Sequence, residues 1–303
     1  MGFMTFAIYR AWRCSGLCAL LVLSVGFPLP SLANSGSGLL NPFVPKPTIV
    51  ATIKPLALLV ESIAGDDFNV VTLLPPNANP HALAMTIADR QLLEEASLVV
   101  WLGAGFERFL TQPMQQRRGS QLELGQLEGL TWPATSTADL HLWLAPRNIE
   151  RALKAIAAEL AFIDPLQKAA LDERLALALQ ELTVQEVAVK RELEAYRTTP
   201  FAVSHDGYAH FVSAFGLTQV AAATSLPEEQ LSARRMYDLQ KSLVDASCLI
   251  VEPGDHSGAK LAKALGLRPV EVDPLGRATE ITSITALLQS LTIDFKRCFD
   301  SRL

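Results

Sequence analysis

Four side chains in this sequence have the types and the placing to hold a metal ion: His81, His141, His205 and Asp273. His205 directly follows Phe201-Ala202-Val203-Ser204, and Asp273 directly follows Pro269-Val270-Glu271-Val272. His81 follows the apolar run 70–74 and a loop rich in Pro and Asn, while His141 sits in the short apolar segment Asp139-Leu140-His141-Leu142-Trp143-Leu144. Three of the four thus lie just beyond the carboxyl end of a strand-like run, where open α/β sheets bind ligands in a crevice. Neutral imidazoles with one carboxylate suit a borderline divalent cation, and three His plus one Asp complete a tetrahedral shell without water. The carboxylate also offsets half of the ion's charge, which makes burial of either charge tolerable. Each residue has a plainer reading too. A lone loop His is often a surface or packing residue, and Asp273-Pro274-Leu275-Gly276 reads equally well as a turn. If Asp273 merely caps that turn, three imidazoles leave an open position, the arrangement of a zinc hydrolase. The chain carries no His-Glu-x-x-His pair to accompany such a site.

The elements that must position these residues alternate between β-rich runs and helical patterns, the signature of parallel sheets with crossover helices. Strand-like runs fall at 48–53, 69–74 and 98–102, with helix-like segments at 55–64 and 88–96. The second half repeats the theme, with strands at 200–204, 218–222, 248–252 and 270–272 and helices from Tyr208, at 233–243 and at 259–265. The expected fold is therefore α/β, two Rossmann-like lobes each with a parallel sheet flanked by helices and a metal site in the cleft between them. Between the lobes, residues 165–197 place Leu171, Leu175, Leu179, Leu182, Val189 and Leu193 at threes, fours and sevens. One helix of that length would run about 45 Å. The pattern covers few heptads, so packing within the chain is favoured over a coiled-coil dimer, and a monomer is expected.

At 303 residues the chain is long enough for two cores, and half of its residues are hydrophobic, which excludes a disordered chain. A net charge of -5 gives no basic footprint for nucleic acid. The first residues read as an export signal over 1–33: Arg10 and Arg13, an apolar core over 17–27, and small residues at Ser31-Leu32-Ala33. The apolar run is too short for a spanning helix. Residues 34–46 form a flexible lead-in, followed by an N-terminal lobe over 47–164, a linking helix over 165–197 and a C-terminal lobe over 198–303. Cys14 and Cys18 leave with the signal, so the exported chain keeps Cys248 and Cys298, for which one disulfide is the default in an oxidising compartment.

The ordered segments Pro80-His81, Ala96-Ser97-Leu98-Val99-Val100-Trp101-Leu102-Gly103 with Glu107 following, His141-Leu142-Trp143-Leu144-Ala145-Pro146, His205-Asp206-Gly207-Tyr208, Glu252-Pro253 and Asp273-Pro274-Leu275-Gly276 go further. Through them the chain resembles the zinc-specific solute-binding proteins of bacterial ABC importers, within the cluster A-I zinc and manganese binders. The resemblance runs from Ile53 to Cys298. It implies a periplasmic protein that captures Zn2+ and delivers it to the ABC-transporter permease in the inner membrane, without catalysis. It implies that His81 and His141 from one lobe and His205 and Asp273 from the other ligate the ion, that 165–197 is a rigid backbone helix, and that Cys248 pairs with Cys298. Manganese binders of the family tend to have a carboxylate where this chain has His205, so more nitrogen and less oxygen argues for zinc. Asp206 and Glu252 are candidates to orient the imidazoles, and Trp143 is expected to pack beneath the site. The chain departs from the pattern in having no His within 111–138, where many zinc members carry a His-rich loop, in placing His210 where an aromatic residue is usual, and in having Asn79 before the Pro-His pair. His210 is read as packing or surface, and His256 as a loop residue.

Overall fold

The computed structural model describes residues 45–75, 78, 85–134, 139–225, 229, 231–243 and 245–300. The export signal, most of the lead-in, Asn79 and His81 lie outside the described residues. None of the described helices is long and apolar enough to cross a membrane.

The first sheet is built from β1 (Thr48–Ala51), β2 (Asn69–Thr72), β3 (Leu98–Trp101) and β4 (Ser120–Glu123), in the order β2-β1-β3-β4 and parallel throughout. Every residue of β3 is buried, as a strand covered on both faces should be. Helices α1 (Lys54–Ala64), α2 (Ile87–Glu95) and α3 (Thr111–Gln116) make the crossovers. Pro55 starts α1, and a reciprocal capping box between Thr86 and Asp89 starts α2. Within 111–134 the chain supplies α3 and the edge strand β4. Chain direction then turns through a single 3-10 turn, Leu142–Leu144, into α4 (Pro146–Ile163), whose buried Ile149, Leu153, Ile156 and Leu160 pack one face inward.

The second sheet repeats this order. β5 (Pro200–His205), β6 (Thr218–Thr224), β7 (Leu249–Val251) and β8 (Pro269–Glu271) run parallel as β6-β5-β7-β8, connected by α6 (Ala209–Phe215), α7 (Ala233–Ser242) and α8 (His256–Leu265). Gly216, at φ +67°, ends α6 in the left-handed conformation that a side chain would resist. The chain closes with α9 (Ile284–Phe299). α3, β4, α4 and α9 add to the elements read from the sequence.

The long helix, α5 (Lys168–Leu193), is 26 residues with 3-10 turns at Pro165–Gln167 and Glu194–Tyr196, so the 165–197 segment is helical at both ends but not one uninterrupted α-helix. It packs against α1, α4 and α9 of the same chain. Arg174 reaches Ala64 O and Asp67 beside the first sheet, while Gln185 and Glu192 reach Gln289 and Lys296 on α9. A single continuous apolar cluster runs from Ile49 and Leu56 through Leu171, Leu182 and Val189 to Phe201 and Phe295. A core shared by both sheets resists relative movement far better than a polar interface would. Cys248 and Cys298 form a disulfide with Cα atoms 5.5 Å apart, stapling the start of β7 to the end of α9.

Candidate metal centre

In each sheet the chain steps outward in one direction from the first strand and then back past it in the other, so a crevice opens at the carboxyl ends of β5 and β7. His205 is the last residue of β5, and Glu252 follows the last residue of β7. They meet there: Glu252 Oε1 lies 3.2 Å from His205 Nε2. That ring nitrogen is buried and has no hydrogen bond among the described residues. Burial pushes the His205 imidazole below its ordinary value, favouring the neutral form that ligates metals. Burial also opposes a charge on Glu252, but its carboxyl is held below the usual range, with the Arg277 guanidinium paired to it.

His141 arrives from the other side, just ahead of the 3-10 turn that leads into α4. Its ring centroid is 5.9 Å from that of His205. Two residues back, Asp139 Oδ1 accepts from the His141 backbone N–H at 2.9 Å and contacts Nδ1 at 2.5 Å. In the neutral ring this fixes the proton on Nδ1 and leaves the lone pair on Nε2, the way a carboxylate orients a metal-binding histidine. Burial works against charge on both partners, yet each stabilises the other: His141 is held above, and Asp139 below, its ordinary value. Trp143 packs against His141 with ring centroids 5.1 Å apart.

Gly207 is the floor where the two imidazoles meet. A Cβ there would stand 2.4 Å from His205 Nε2 and 3.2 Å from His141 Cε1. Its backbone lies outside the left-handed region, so the requirement for glycine is one of space rather than of conformation.

The carboxylates are arranged differently from the sequence expectation. Asp273 lies two residues past β8 and accepts from the backbone N–H groups of Leu275 and Arg277, as its turn reading supposes. The Arg277 guanidinium binds Asp273 Oδ1 at 2.6 Å and Glu252 Oε2 at 2.8 Å. Asp206 accepts from Gln219 Nε2 at 3.3 Å. His210 is buried, in line with its packing reading, and also hydrogen-bonds, with Nε2 2.8 Å from Asp139 O and Nδ1 3.2 Å from Asn148 Nδ2. It thereby ties α6 to the segment carrying His141. His256 opens α8 and is exposed. Among the described residues no three His, Cys, Asp or Glu side chains stand together as a metal-holding group. The structure sets His205 beside His141 on one side and the near oxygen of Glu252 on another, and turns Asp273 to Arg277; His81 lies outside the described residues. A buried, unbonded ring nitrogen beside a carboxylate oxygen is a donor pair that fits a divalent cation. Sequence reasoning gave no role to Asp139, Gly207 or Arg277, although Asp139 and Gly207, each two residues from a candidate ligand, carried a local signal.

The corresponding crevice of the first sheet is filled differently. Glu107 is fully buried there and accepts from Thr52 Oγ1 and from the backbone N–H groups of Leu102 and Gly103, at the carboxyl ends of β1 and β3. Burial is the stronger influence and pushes its carboxyl up to about 7.

Comparison with known proteins agrees with this architecture. The High-affinity zinc uptake system protein ZnuA of Yersinia pestis is 29% identical over 275 residues, covering 78% of this chain and 86% of that protein. Its namesake in Haemophilus ducreyi is 24% identical over 286 residues, covering 82% and 92%. Among solved structures, the periplasmic zinc binding protein TroA from Treponema pallidum superposes with a TM-score of 0.74 at 17% identity, over 84% of this chain and 99% of that one. A ZnuA crystal structure gives 0.72 at 24% identity, over 84% and 100%. These structures share the two-lobed fold. The family model described as ZnuA, zinc-uptake complex component A periplasmic, matches residues 49–297, and the chain belongs to that family.

Proposed function

We propose that this chain is the periplasmic zinc-binding component of an ABC uptake system, capturing Zn2+ in the cleft and handing it to the membrane permease. The observation that carries the reading is the meeting of His141 and His205 from opposite lobes above Gly207, with centroids 5.9 Å apart. The proposed ligands are His81, His141, His205 and Asp273, with Glu252 close enough to His205 to share or substitute for the carboxylate role. An imidazole-rich set of this kind prefers zinc to manganese. Family membership supports the transport role, since the named relatives are uptake components. The lobes are taken as 47–164 and 198–303, with the helix over 165–197 as the rigid link, and the mature protein as a monomer freed of residues 1–33.

Metal analysis of the purified mature chain tests this directly. One zinc per chain is expected, together with its loss in His205→Ala. Full retention of zinc by that variant would remove His205 from the site, and tight manganese with weak zinc binding in calorimetry would overturn the choice of ion.

A further inference from the structure

The acidic half of the site already faces a cation from within the chain. Arg277 Nη1 donates to Asp273 Oδ1 at 2.6 Å and Nη2 to Glu252 Oε2 at 2.8 Å, and the other Glu252 oxygen is the one beside His205. The side chains of Arg277, Glu252 and Asp273 are 16%, 17% and 18% exposed, so these pairs are shielded rather than surface-screened. Two carboxylates brought this close and half-buried repel each other unless a positive charge stands between them. A guanidinium suits that post because it stays charged at any physiological pH and its planar fork reaches two acceptors at once.

Resting on the reading that this cleft takes Zn2+, we propose that Arg277 is an internal counter-cation that Zn2+ displaces from Asp273, so that the guanidinium weakens zinc binding and speeds zinc release. Asp273 Oδ1 cannot give the same lone pairs fully to a guanidinium and to a metal. Exchange between them is local. Arg277 lies four residues after Asp273 on one turn, and Leu275 N still donates to Oδ1 from the backbone, so only the arginine side chain has to move. Its second arm keeps Glu252 while the first lets go. When the ion leaves, the same arm returns to Asp273, and no bare carboxylate is left buried behind it. A delivery protein needs such a device, because tight capture without assisted release would strand its cargo.

The experiment compares mature wild type, Arg277→Gln and Arg277→Lys. Zinc affinity is read by competition with a chromophoric chelator, release by mixing the loaded protein with excess chelator, and melting temperature with and without zinc. Arg277→Gln is expected to bind zinc at least ten-fold more tightly and release it at least ten-fold more slowly. Its metal-free form should melt lower, with a larger zinc-induced rise than wild type. A folded Arg277→Gln whose affinity equals or falls below that of wild type overturns the proposal and makes Arg277 a brace for Asp273. Should the metal-free glutamine variant not fold, Arg277→Lys decides, since it keeps the charge but loses the two-armed bridge: a several-fold gain in affinity supports the proposal, and none overturns it. Failure of wild type itself to bind zinc would instead overturn the functional reading, and this inference with it.

Discussion

The indole Nε1 of Trp143 donates to the carbonyl oxygen of Pro274 at 2.8 Å, although 131 residues separate them. Trp143 packs on His141, and Pro274 follows Asp273, so one buried hydrogen bond links the segment bearing a histidine of one lobe to the acidic turn of the other. Trp143→Phe keeps an aromatic ring and removes the donor, leaving the Pro274 carbonyl without it. Denaturant unfolding is expected to show a loss of about 1–3 kcal/mol, and calorimetry a several-fold weaker zinc affinity. Unchanged stability would mean that water takes over the carbonyl without cost.

Gly207→Ala tests the floor of the site. The added carbon falls 2.4 Å from His205 Nε2, so the imidazole has to give way, whereas the backbone conformation is one that alanine tolerates. Zinc affinity should drop at least ten-fold while the circular dichroism spectrum and the metal-free melting temperature stay near wild type. Retained affinity would place the ion away from the edge that the two rings share.

Glu107 should make stability depend on pH. Its folded value of about 7 lies above its ordinary value of 4.5, so the folded chain keeps a proton that the unfolded chain has released. Stability therefore falls as pH rises between those values and levels off above them, by up to roughly 3 kcal/mol for this group. Unfolding free energies of wild type and Glu107→Gln, measured at pH 4.5 and 8, isolate the contribution. The advantage of wild type over the variant should shrink as pH rises, and a constant difference would show that the carboxyl titrates alike in the folded and unfolded chains.

The Cys248–Cys298 disulfide closes a loop of 50 residues. Constraint of the unfolded chain by such a loop contributes about 4 kcal/mol in the loop-entropy model. Cys248 lies at the amino end of β7 and the candidate metal centre at its carboxyl end. The double variant Cys248→Ala, Cys298→Ala is accordingly expected to lose about 2–4 kcal/mol while binding zinc as wild type does. A parallel loss of zinc affinity would show that the staple also holds β7, and Glu252 with it, in register.

Much of the fold was legible because its elements are local patterns. The strand-like runs at 48–53, 98–102, 200–204 and 248–252 became parallel strands, and His205 and Glu252, at the carboxyl ends of two of them, came to line a crevice. β4 escaped notice because Ser120–Glu123 is a short, polar edge strand with no alternation to detect. α5 read clearly as helical from its apolar spacing, but no local pattern states that α1, α4 and α9 are the helices it packs against.

The sequence by itself determined the α/β alternation, the export signal as an expectation, the cysteine pair and the few positions where imidazole and carboxylate chemistry gathers at strand ends. Only the tertiary structure decided that Asp139 orients His141, that His210 latches the two lobes, that Gly207 makes room for two rings, and that Asp273 answers to Arg277. The division has one cause. Periodicity and turn chemistry act between residues a few places apart, whereas the partner of a buried polar group is whichever one the packed chain brings within about 3 Å of it, and no local pattern encodes that choice.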